Sequence, residues 1–469
     1  MSNPRPTRTT RTVVDSTRRP VATPRGRAQT PPPSRATTAR IVLGNALRSE
    51  NSNYYLLLGT VVFLVIIGLI IVFSASSIGS FLSDGGFFGG FLKQALFAGL
   101  GIPLMLIIAK LPLVFWSRWL KTMLVGAFVL QFLVLFTPLG VETGGNRNWL
   151  AIGSITGQPS ELVKIVIAVS LGVAIPKAID RVGMNTWHVL MPIVPAVGLM
   201  AMVLYGKDLG TVMIMAIIVM GSLIFAGLPV RILAIPAGLG ALAIAGFAWT
   251  SSNRMDRILS FMNECTDYIN TCWQPLHGKW AMANGGIFGV GLGNSKSKWS
   301  WLPAADNDYI FAIIGEELGL IGCLVVIALY VFLTVIFLRI IRESDNRMVR
   351  ITTGGIMFWI IGQAAINIGV VVGILPVLGV PLPFLSSGGT ALFSNLVAVG
   401  IVLSFARANR DGRRTTASVG RRTEGRGSPG RGSTTSRQPL PARQPTSVGR
   451  VPQVRSSART PQQTRDWRT

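Results

Sequence analysis

Four carboxylates stand close together in an otherwise apolar stretch of the sequence, WLPAADNDYIFAIIGEELG at 301–319. They are Asp306, Asp308, Glu316 and Glu317. A carboxylate held beside a substrate can remove a proton from a hydroxyl group, and this general-base chemistry is the reaction that the segment could serve.

If a membrane helix begins near Asp306, Asp308 lies at the membrane surface and the glutamates lie roughly 12–14 Å deeper, at about 1.5 Å per residue. We predict that Asp306 caps the helix and that Asp308 is either a functional group or a first-turn partner of the helix dipole. Glu316 and Glu317 are predicted to hydrogen-bond to neighbouring helices in protonated form, since burial raises a carboxyl pKa.

Two pairs of opposite charges stand at the starts of other apolar segments. Glu161 and Lys164 are three residues apart in QPSELVK, so a helix places them on one face, where they can pair. Lys207 and Asp208 are adjacent in YGKDLGT. Charges inside a membrane span are costly, so each one is a functional candidate. Glu161 has a second interpretation as an acid that stabilises a helix N-terminus, but that interpretation leaves Lys164 unexplained.

The composition is that of a membrane protein, because 49% of the 469 residues are hydrophobic and only 13% are charged. The net charge of +25 is concentrated in two tails, with ten Arg against two acids in residues 1–50 and fifteen Arg against three acids in residues 404–469. Such segments have little apolar surface to bury, so we predict disordered basic tails at 1–50 and 409–469. Beside membrane spans, Arg clusters set topology and contact anionic lipids. No aromatic-interleaved RNA-binding module accompanies them, so nucleic acid is not an expected partner.

Ten apolar stretches are long enough to cross about 30 Å of hydrocarbon. They lie at 54–78, 88–109, 122–138, 159–176, 187–205, 210–226, 232–250, 309–338, 351–375 and 386–406. These stretches predict an all-α polytopic membrane protein with its transmembrane domain at 51–408. Basic residues in the loops on the side of the N-terminus, such as Lys110, Arg118 and Lys121 at 110–121, place both termini in the cytoplasm by the positive-inside rule.

The segment between the seventh and eighth helices, 251–307, is predicted to be a large extracytoplasmic loop. Its four Trp residues indicate that it lies on the membrane interface or packs on the bundle. An oxidising exterior would favour a disulfide between Cys265 and Cys272, and two unpaired buried thiols are the alternative. The glycine-rich run GGIFGVGLGNS at 285–295 could either cradle a phosphate or only turn tightly against a helix. The two His residues show no zinc-ligand spacing to the cysteines, so no metal ligands are assigned.

Several motifs in one order resemble those of the SEDS (shape, elongation, division and sporulation) family of polytopic membrane proteins. They are GNRNWLAIGSITGQPSELVK, KDLGT, QPLHGKWAMANGGIFGVGLGNS, LPAADNDYIFAIIGEELGLIG and QAAINIGVVVGILPVLGVPLPFLSSGGT. The resemblance covers about residues 54–406 and includes the count of ten spans. Within the family, the long basic tails and the sequence around Asp308 look more like the division type, FtsW, than the elongation type, RodA.

The resemblance implies a peptidoglycan glycosyltransferase that polymerises lipid II during septal cell-wall synthesis. It implies an inverting reaction that forms a β-1,4 linkage and releases undecaprenyl pyrophosphate. The family pattern LPEAHTDFIFA has an Asp at the place of Asp308, whereas Ala304, Asp306 and Asn307 replace its Glu, His and Thr. A pyrophosphate is already a good leaving group, so a single general base suffices, and Asp308 is suited to that role. The predicted substrate-binding residues are Arg147, Glu161, Lys164, Lys207, Asp208, Arg257, Lys279, Lys296 and Lys298. A divalent cation, Mg²⁺ or Mn²⁺, is the one cofactor that we expect, because it would balance the pyrophosphate charge.

The family context also implies partners and a location. A class B penicillin-binding protein, which is a transpeptidase, would pack its single span on the bundle, and other division proteins would join it. The C-terminal tail would contact FtsZ or, equally well, attach to the membrane surface through Arg. The expected location is the division septum of the bacterial plasma membrane. Two other functions stay open: a lipid II flippase, with a polar path along Glu161, Lys164 and Asp208, and a non-enzymatic scaffold for a transpeptidase.

Overall fold

The computed structural model describes residues 52–82, 86–143, 145–153, 155–249, 252–262, 268, 272–299 and 301–424. The predicted N-terminal tail, most of the predicted C-terminal tail and Cys265 lie outside these ranges. The described helices are α1 (Ser52–Leu82), α2 (Gly89–Ile108), α3 (Leu113–Phe136), α4 (Pro159–Val182), α5 (Val194–Tyr205), α6 (Leu209–Phe225), α7 (Val230–Trp249), α8 (Ser252–Met262), α9 (Trp273–Gly285), α10 (Ile310–Arg342), α11 (Arg347–Val372) and α12 (Gly389–Glu424). A 3₁₀ helix at Trp187–Ile193 precedes α5, and the strands are β1 (Gly140–Thr143), β2 (Asn146–Ile152) and β3 (Ile155–Gly157).

The polytopic helical fold is confirmed. In the described part of the chain, nine helical segments are long and apolar enough to cross a membrane, and the 3₁₀ helix and α5 together make one of them. The shorter apolar helix Leu209–Phe225 occupies the remaining predicted position. Helices α8 and α9 lie within the predicted loop 251–307.

Two boundaries differ most from the prediction. Helix α3 begins at Leu113, directly after Pro112, so Arg118 and Lys121 lie in the helix and not in the preceding loop. The reason is that apolar residues such as Val114 already begin the helical pattern there. Helix α12 continues to Glu424, into the segment predicted to be a disordered tail. Extending an existing helix is much easier than nucleating one, because each added residue gains a hydrogen bond. The last residues of α12, from 416 to 424, belong to a unit separate from the preceding part of the described chain.

The centre of the bundle is formed by α4 and its neighbours. In the most apolar stretch of α4, 72% of the residues are buried, against 6% in α7. Small residues allow this close packing, as in other membrane bundles. A methyl group on Gly172 of α4 would lie only 1.8 Å from Oγ1 of Thr352 in α11. Helix α4 is therefore packed tightly against its neighbouring helices.

A small antiparallel sheet, which the sequence interpretation did not include, lies at 140–157. Its strand order is β1-β2-β3, with Val141 opposite Trp149 and Leu150 opposite Gly157. Arg147 in β2 donates from Nε to the carbonyl of Val134, at 3.1 Å, and from Nη2 to the carbonyl of Thr137, at 2.8 Å. These carbonyls belong to the end of α3, where the helix has no amide donors of its own left to offer. The sheet is thus fastened to the end of a membrane helix.

The helical hydrogen bonding of α10 is interrupted at Gly319, and the glycine-rich run beside it supplies replacement hydrogen bonds. Gly319 has φ of +67°, which a residue with a side chain rarely adopts. The amides of Leu320 and Ile321 donate to the carbonyls of Gly286 and Ile287 at 2.9 and 3.3 Å. In exchange, the amides of Val290 and Gly291 donate to the carbonyls of Glu316 and Glu317, both at 3.0 Å. The run 285–293 therefore replaces the hydrogen bonds that the helix loses at its break.

Candidate functional site

The backbone just before α10 is held by three hydrogen bonds to consecutive carbonyls. The carbonyl of Asp306 accepts from the amide of Ser387 at 2.8 Å, and that of Asn307 accepts from Oγ of Ser386 at 2.7 Å. The carbonyl of Asp308 accepts from Nδ2 of Asn367 at 2.7 Å. All three donors come from α11 or from the segment 373–388 that follows it. Asp308 is thus fixed through its backbone, which leaves its side chain free for another task.

The carboxylate of Asp308 lacks the partners that a buried carboxylate normally has. Its Oδ1 is shielded from solvent and has no hydrogen-bond partner among the described residues. On the other side, a methyl group on Gly379 would lie 3.6 Å from Oδ2. Burial raises the pKa of Asp308 from 3.8 to about 6, while the positive charge of Arg257 lowers it and the neighbouring Asp306 raises it. A carboxylate with this pKa is ionised at neutral pH and still basic enough to accept a proton, as a general base must be.

Asp306 does not have the predicted role of a helix cap. The residue before the first turn of α10 is Tyr309, and no side chain caps that turn. The helix starts late because the chain first makes a tight turn, in which Ala304 has φ of +52° and its carbonyl accepts from the amide of Tyr309 at 3.3 Å. Asp306 lies in that turn and is held through its carbonyl.

Glu316 and Glu317 are buried structural groups, as predicted, but their partners are loop residues as well as helices. Glu316 accepts from Oγ of Ser295 at 2.5 Å, Nδ2 of Asn284 at 2.9 Å and the amide of Lys296 at 3.1 Å. Because these donors fill its oxygens, Glu316 needs no proton of its own, contrary to the prediction of a protonated form.

Glu317 fastens the same loop by an ion pair. Its Oε1 lies 3.4 Å from Nζ of Lys298 and 2.6 Å from Oγ of Ser74 in α1. Lys298 also donates to the carbonyl of Gly293 at 2.5 Å and is buried. The structure therefore gives Lys298 a structural partner, which weakens its prediction as a substrate-binding cation. The backbone pairing of the glycine-rich run with α10 likewise favours the tight-turn interpretation of that run over a phosphate cradle.

Glu161 and Lys164 form the predicted ion pair, and it is deep in the protein. Nζ of Lys164 lies 2.8 Å from Oε1 of Glu161, 3.3 Å from Oε1 of Gln363 and 4.7 Å from the centre of the Trp359 ring. Oε2 of Glu161 accepts from Oγ of Ser394 at 3.0 Å. Lys164 is only 1% exposed. The pair joins α4, α11 and α12, so its visible role is to hold the helices that carry the 373–388 segment.

Asp208 is the N-cap of α6 and a junction for three elements. Its oxygens accept from Nδ2 of Asn148 in β2, at 2.7 Å, and from Nε2 of Gln158, at 2.8 Å. They also accept from the amide and Oγ1 of Thr211, at 3.0 and 2.7 Å. Together with Arg147, Asp208 fixes the sheet to the helices. The predicted substrate-binding roles of Asp208 and Arg147 stay untested, but each has a complete structural role.

The remaining predicted cations have exposed side chains. They are Lys207, Arg257, Lys279 and Lys296. Arg257 acts on Asp308 through its charge. Lys279 packs against Gly373, where a methyl group would come within 2.8 Å of its Nζ. These exposed cations can meet an anionic ligand, whereas the buried Lys164 and Lys298 are already paired.

Asn367 and Ser386 are positioning residues that the sequence interpretation missed. Asn367 holds the carbonyls of both Asp308 and Val380, at 2.7 Å each, and Ser386 also accepts from the amide of Leu382 at 2.7 Å. The only available signal was their place in the motif QAAINIGVVVGILPVLGVPLPFLSSGGT. Nothing in that motif indicated which carbonyls they would hold.

The cysteines agree with the prediction as far as they are described. Cys272 is disulfide-bonded and Cys323 is free and buried. Cys265 lies outside the described residues, so its pairing with Cys272 stays a prediction. Among the described residues, no group of three or more His, Cys, Asp or Glu side chains could hold a metal ion.

The fold and the site together define a class: a polytopic helical membrane protein in which the described residues leave Oδ1 of the buried Asp308 without a partner, just before a membrane helix. The model of the FtsW, RodA and SpoVE family, described as "Cell cycle protein", matches residues 54–411. The chain belongs to this family, which is the SEDS family of the motifs above.

Curated relatives are similar over most of the chain. One is the probable peptidoglycan glycosyltransferase FtsW of Mycobacterium tuberculosis, 35% identical over 370 residues that make up 78% of this chain and 70% of the relative. Another is the stage V sporulation protein E of Bacillus subtilis, 35% identical over 352 residues, or 74% of this chain and 95% of the relative.

Solved structures share the fold. A chain from the structure "Structural coordination of polymerization and crosslinking by a peptidoglycan synthase complex" has a TM-score of 0.60 at 24% identity, and the match covers 74% of this chain and 97% of that one. The rod shape determining protein RodA of Thermus thermophilus has a TM-score of 0.55 at 22% identity, covering 75% and 96%.

Proposed function

We propose that this protein is a peptidoglycan glycosyltransferase that polymerises lipid II into β-1,4-linked glycan strands in septal wall synthesis. The observation that carries the proposal is the carboxylate of Asp308, which is fixed by its backbone, shielded at Oδ1 and given a pKa of about 6. The names of the FtsW relatives support the same activity.

In the proposed reaction, Asp308 accepts the proton of the acceptor sugar's 4-hydroxyl. The oxygen of that hydroxyl forms a bond to the anomeric carbon of the donor. The bond between the anomeric carbon and the pyrophosphate oxygen breaks, and its electron pair leaves on undecaprenyl pyrophosphate. Attack from the face opposite the leaving group inverts the anomeric centre and gives the β linkage.

The negative charge of the leaving pyrophosphate is met by exposed cations of the same region. Arg257 is close enough to Asp308 to affect its pKa, and Lys279 and Lys296 are exposed. Magnesium usually binds through one or two carboxylates together with substrate phosphates. A Mg²⁺ or Mn²⁺ ion would help to balance the charge of the pyrophosphate and would need only one or two protein carboxylates.

The cellular setting is part of the proposal. The protein is a multi-pass membrane protein, and we place both termini in the cytoplasm and the Asp308 end outside, at the division septum. The expected partner is a class B penicillin-binding protein, which the coupling of polymerization and crosslinking in the similar solved complex supports. FtsZ, through the C-terminal tail, stays a proposed contact.

The flippase alternative loses its main support. It needs Glu161, Lys164 and Asp208 to line a polar path, but the first two pair with each other and Asp208 accepts from four donors. Each is used to hold the fold together.

The test is polymerisation of lipid II by purified protein together with its partner. Asp308→Ala should lower the rate by about 100-fold or more, because general-base catalysis contributes roughly that much. Asp306→Ala is the matched control, since Asp306 is held through its carbonyl, and it should stay within about threefold of wild type. Polymerisation by folded Asp308→Ala at a rate near that of the control would contradict the assignment of Asp308 as the general base, and no polymerisation by wild type would contradict the proposed activity.

A further inference from the structure

Four aromatic rings form a stacked surface on the 251–307 segment. We call it the aromatic platform, and it consists of Trp273, His277 and Trp280 of α9 together with Trp301. The rings of Trp273 and Trp301 are 6.2 Å apart and tilted by only 12°, and His277 stacks on Trp273 at 4.0 Å. Trp280 meets His277 edge to face at 4.8 Å. Trp280 and Trp301 are 58% and 56% exposed, so the platform presents aromatic surface outward.

The platform is fixed in place and is not a set of loose side chains. Nε1 of Trp273 donates to the carbonyl of Trp301 at 2.8 Å, and Nε2 of Gln274 donates to the carbonyl of Pro303 at 3.0 Å. Nδ1 of His277 lies 2.8 Å from the carbonyl of Trp273. A carbonyl only accepts, so Nδ1 carries the hydrogen. In the neutral ring, Nε2 is then an acceptor for a ligand.

The platform is also continuous with the Asp308 site. Gly278, next to His277, packs on the ring of Tyr309, where a methyl group would lie 2.5 Å from Cε1. Tyr309 directly follows Asp308, and Trp301 begins the segment that leads to it. Helix α9, which carries three of the four rings, therefore packs directly against the residue that follows Asp308.

We propose that the aromatic platform binds the sugar rings of the β-1,4-linked strand on which Asp308 acts. This inference rests on the proposed function. In β-1,4-linked N-acetylglucosamine and N-acetylmuramic acid the ring substituents are equatorial, so each ring face presents axial C–H groups that pack flat on an aromatic ring. An aromatic surface with a few fixed polar groups is typical of ligand sites. Nε2 of His277 supplies an acceptor for the N–H of an N-acetyl group.

A membrane-interface role for the platform is less consistent with the geometry. Interfacial Trp residues usually offer their indole N–H to water and headgroups. Here the N–H of Trp273 is satisfied inside the protein, and the rings of Trp273, His277 and Trp301 all stack on one another.

The experiment measures binding of a soluble tetrasaccharide to the full chain in nanodiscs. The probe has two β-1,4-linked N-acetylglucosamine–N-acetylmuramic acid units and carries no lipid. Trp280→Ala and Trp301→Ala should each weaken its binding by about fivefold, as loss of one aromatic contact predicts. Trp299→Ala is the matched control, because Trp299 is 63% exposed in the same segment but takes no part in the stack, and it should change binding by less than about twofold. Trp280→Tyr should restore most of the affinity by keeping a ring.

Three results would overturn the proposal. They are the absence of tetrasaccharide binding to wild type, equal binding by all four variants, and quenching of Trp280 or Trp301 fluorescence by brominated lipids, which would place the rings in the membrane. Asp308→Ala should still bind the tetrasaccharide. If wild-type protein with its partner did not polymerise lipid II, the proposed function would fail on that result alone, and the binding result would stand separately.

Discussion

Asp208 and Asp308 each lie just before the first turn of a helix and beside the same segment, yet their carboxylates are treated in opposite ways. A methyl group on Gly210 would lie 2.7 Å from the carbonyl of Leu378, and one on Gly379 would lie 3.6 Å from Oδ2 of Asp308. Asp208 accepts four hydrogen bonds from side chains and backbone. Asp308 has an Oδ1 that is shielded and without a partner among the described residues.

Asp208 is thus a carboxylate that stabilises the fold, whereas Asp308 is one that the fold leaves available for a reaction. A buried polar group without a partner costs stability, so each such group calls for an explanation, and a role in the reaction is the one we propose for Asp308. Glu161, Glu316 and Glu317 resemble Asp208 in this respect, because each is paired or fully hydrogen-bonded. Asp308 alone among these five is bonded through its backbone while Oδ1 is left bare.

The largest effect is expected from breaking the paired region. Lys164→Met removes the charge that balances Glu161 but keeps the length of the side chain. We expect the free energy of unfolding to fall by about 3–5 kcal/mol, because Glu161 is left as a buried unpaired charge. Thermal unfolding in detergent measures it.

Two comparisons make this prediction specific. Lys279→Met removes an exposed cation and should change stability by no more than about 0.5 kcal/mol. Adding Glu161→Gln to Lys164→Met should recover much of the loss, because no charge is then stranded. Equal and small effects of both single variants would mean that the buried pair does not stabilise the fold.

A smaller effect is expected from titrating Asp308. Only the ionised carboxylate can accept a proton, and its pKa is about 6. Lipid II polymerisation should therefore fall roughly tenfold between pH 7 and pH 5. Arg257→Gln removes the charge that lowers this pKa, so the midpoint should move to higher pH. A flat profile, or a midpoint that moves down in Arg257→Gln, contradicts the base role.

The prediction with the smallest expected effect tests whether the burial of an ion pair, and not its formation alone, determines how much the pair stabilises the protein. Arg347 and Asp180 form an ion pair with an N–O distance of 2.9 Å, but their side chains are 56% and 69% exposed. Water screens such a pair, so Arg347→Gln should change stability by no more than about 1 kcal/mol. A loss as large as that of Lys164→Met would show that exposed pairs matter equally here.

The helices were predictable from the sequence because an apolar run of about twenty residues leaves few alternatives. Asp308 was chosen by its place before a helix and by its match to the family motif, and the structure adds that its Oδ1 is shielded and its pKa is raised to about 6. The pairing of Glu161 with Lys164 followed from their spacing along one helix.

The rest depended on contacts between distant parts of the chain. The strands at 140–157 are short, and a bulge interrupts the pairing of β1 with β2, so no regular sequence pattern predicts these strands. The ion pair of Lys298 with Glu317 requires the helix break at Gly319 and the glycine-rich run that repairs it. Asp306 was expected to cap the helix, but the turn at Ala304 delays the first helical residue to Ile310.

The most direct test of the account is to compare Asp308→Asn with Asp208→Asn, measuring both the unfolding midpoint and polymerisation per folded molecule. Burial raises the pKa of Asp308 from 3.8 to about 6, so the ionisable carboxyl lowers stability as the pH rises from about 4 to about 6, and the loss stays constant above pH 6. Asp308→Asn should therefore be as stable as wild type or more stable at pH 7.5, by at most about 3 kcal/mol, with the difference vanishing below about pH 4. It should lose activity by about 100-fold or more. Asp208→Asn should lose about 1–3 kcal/mol of stability but keep its activity per folded molecule. The opposite assignment, with Asp308→Asn active but unstable and Asp208→Asn stable but inactive, would contradict the account.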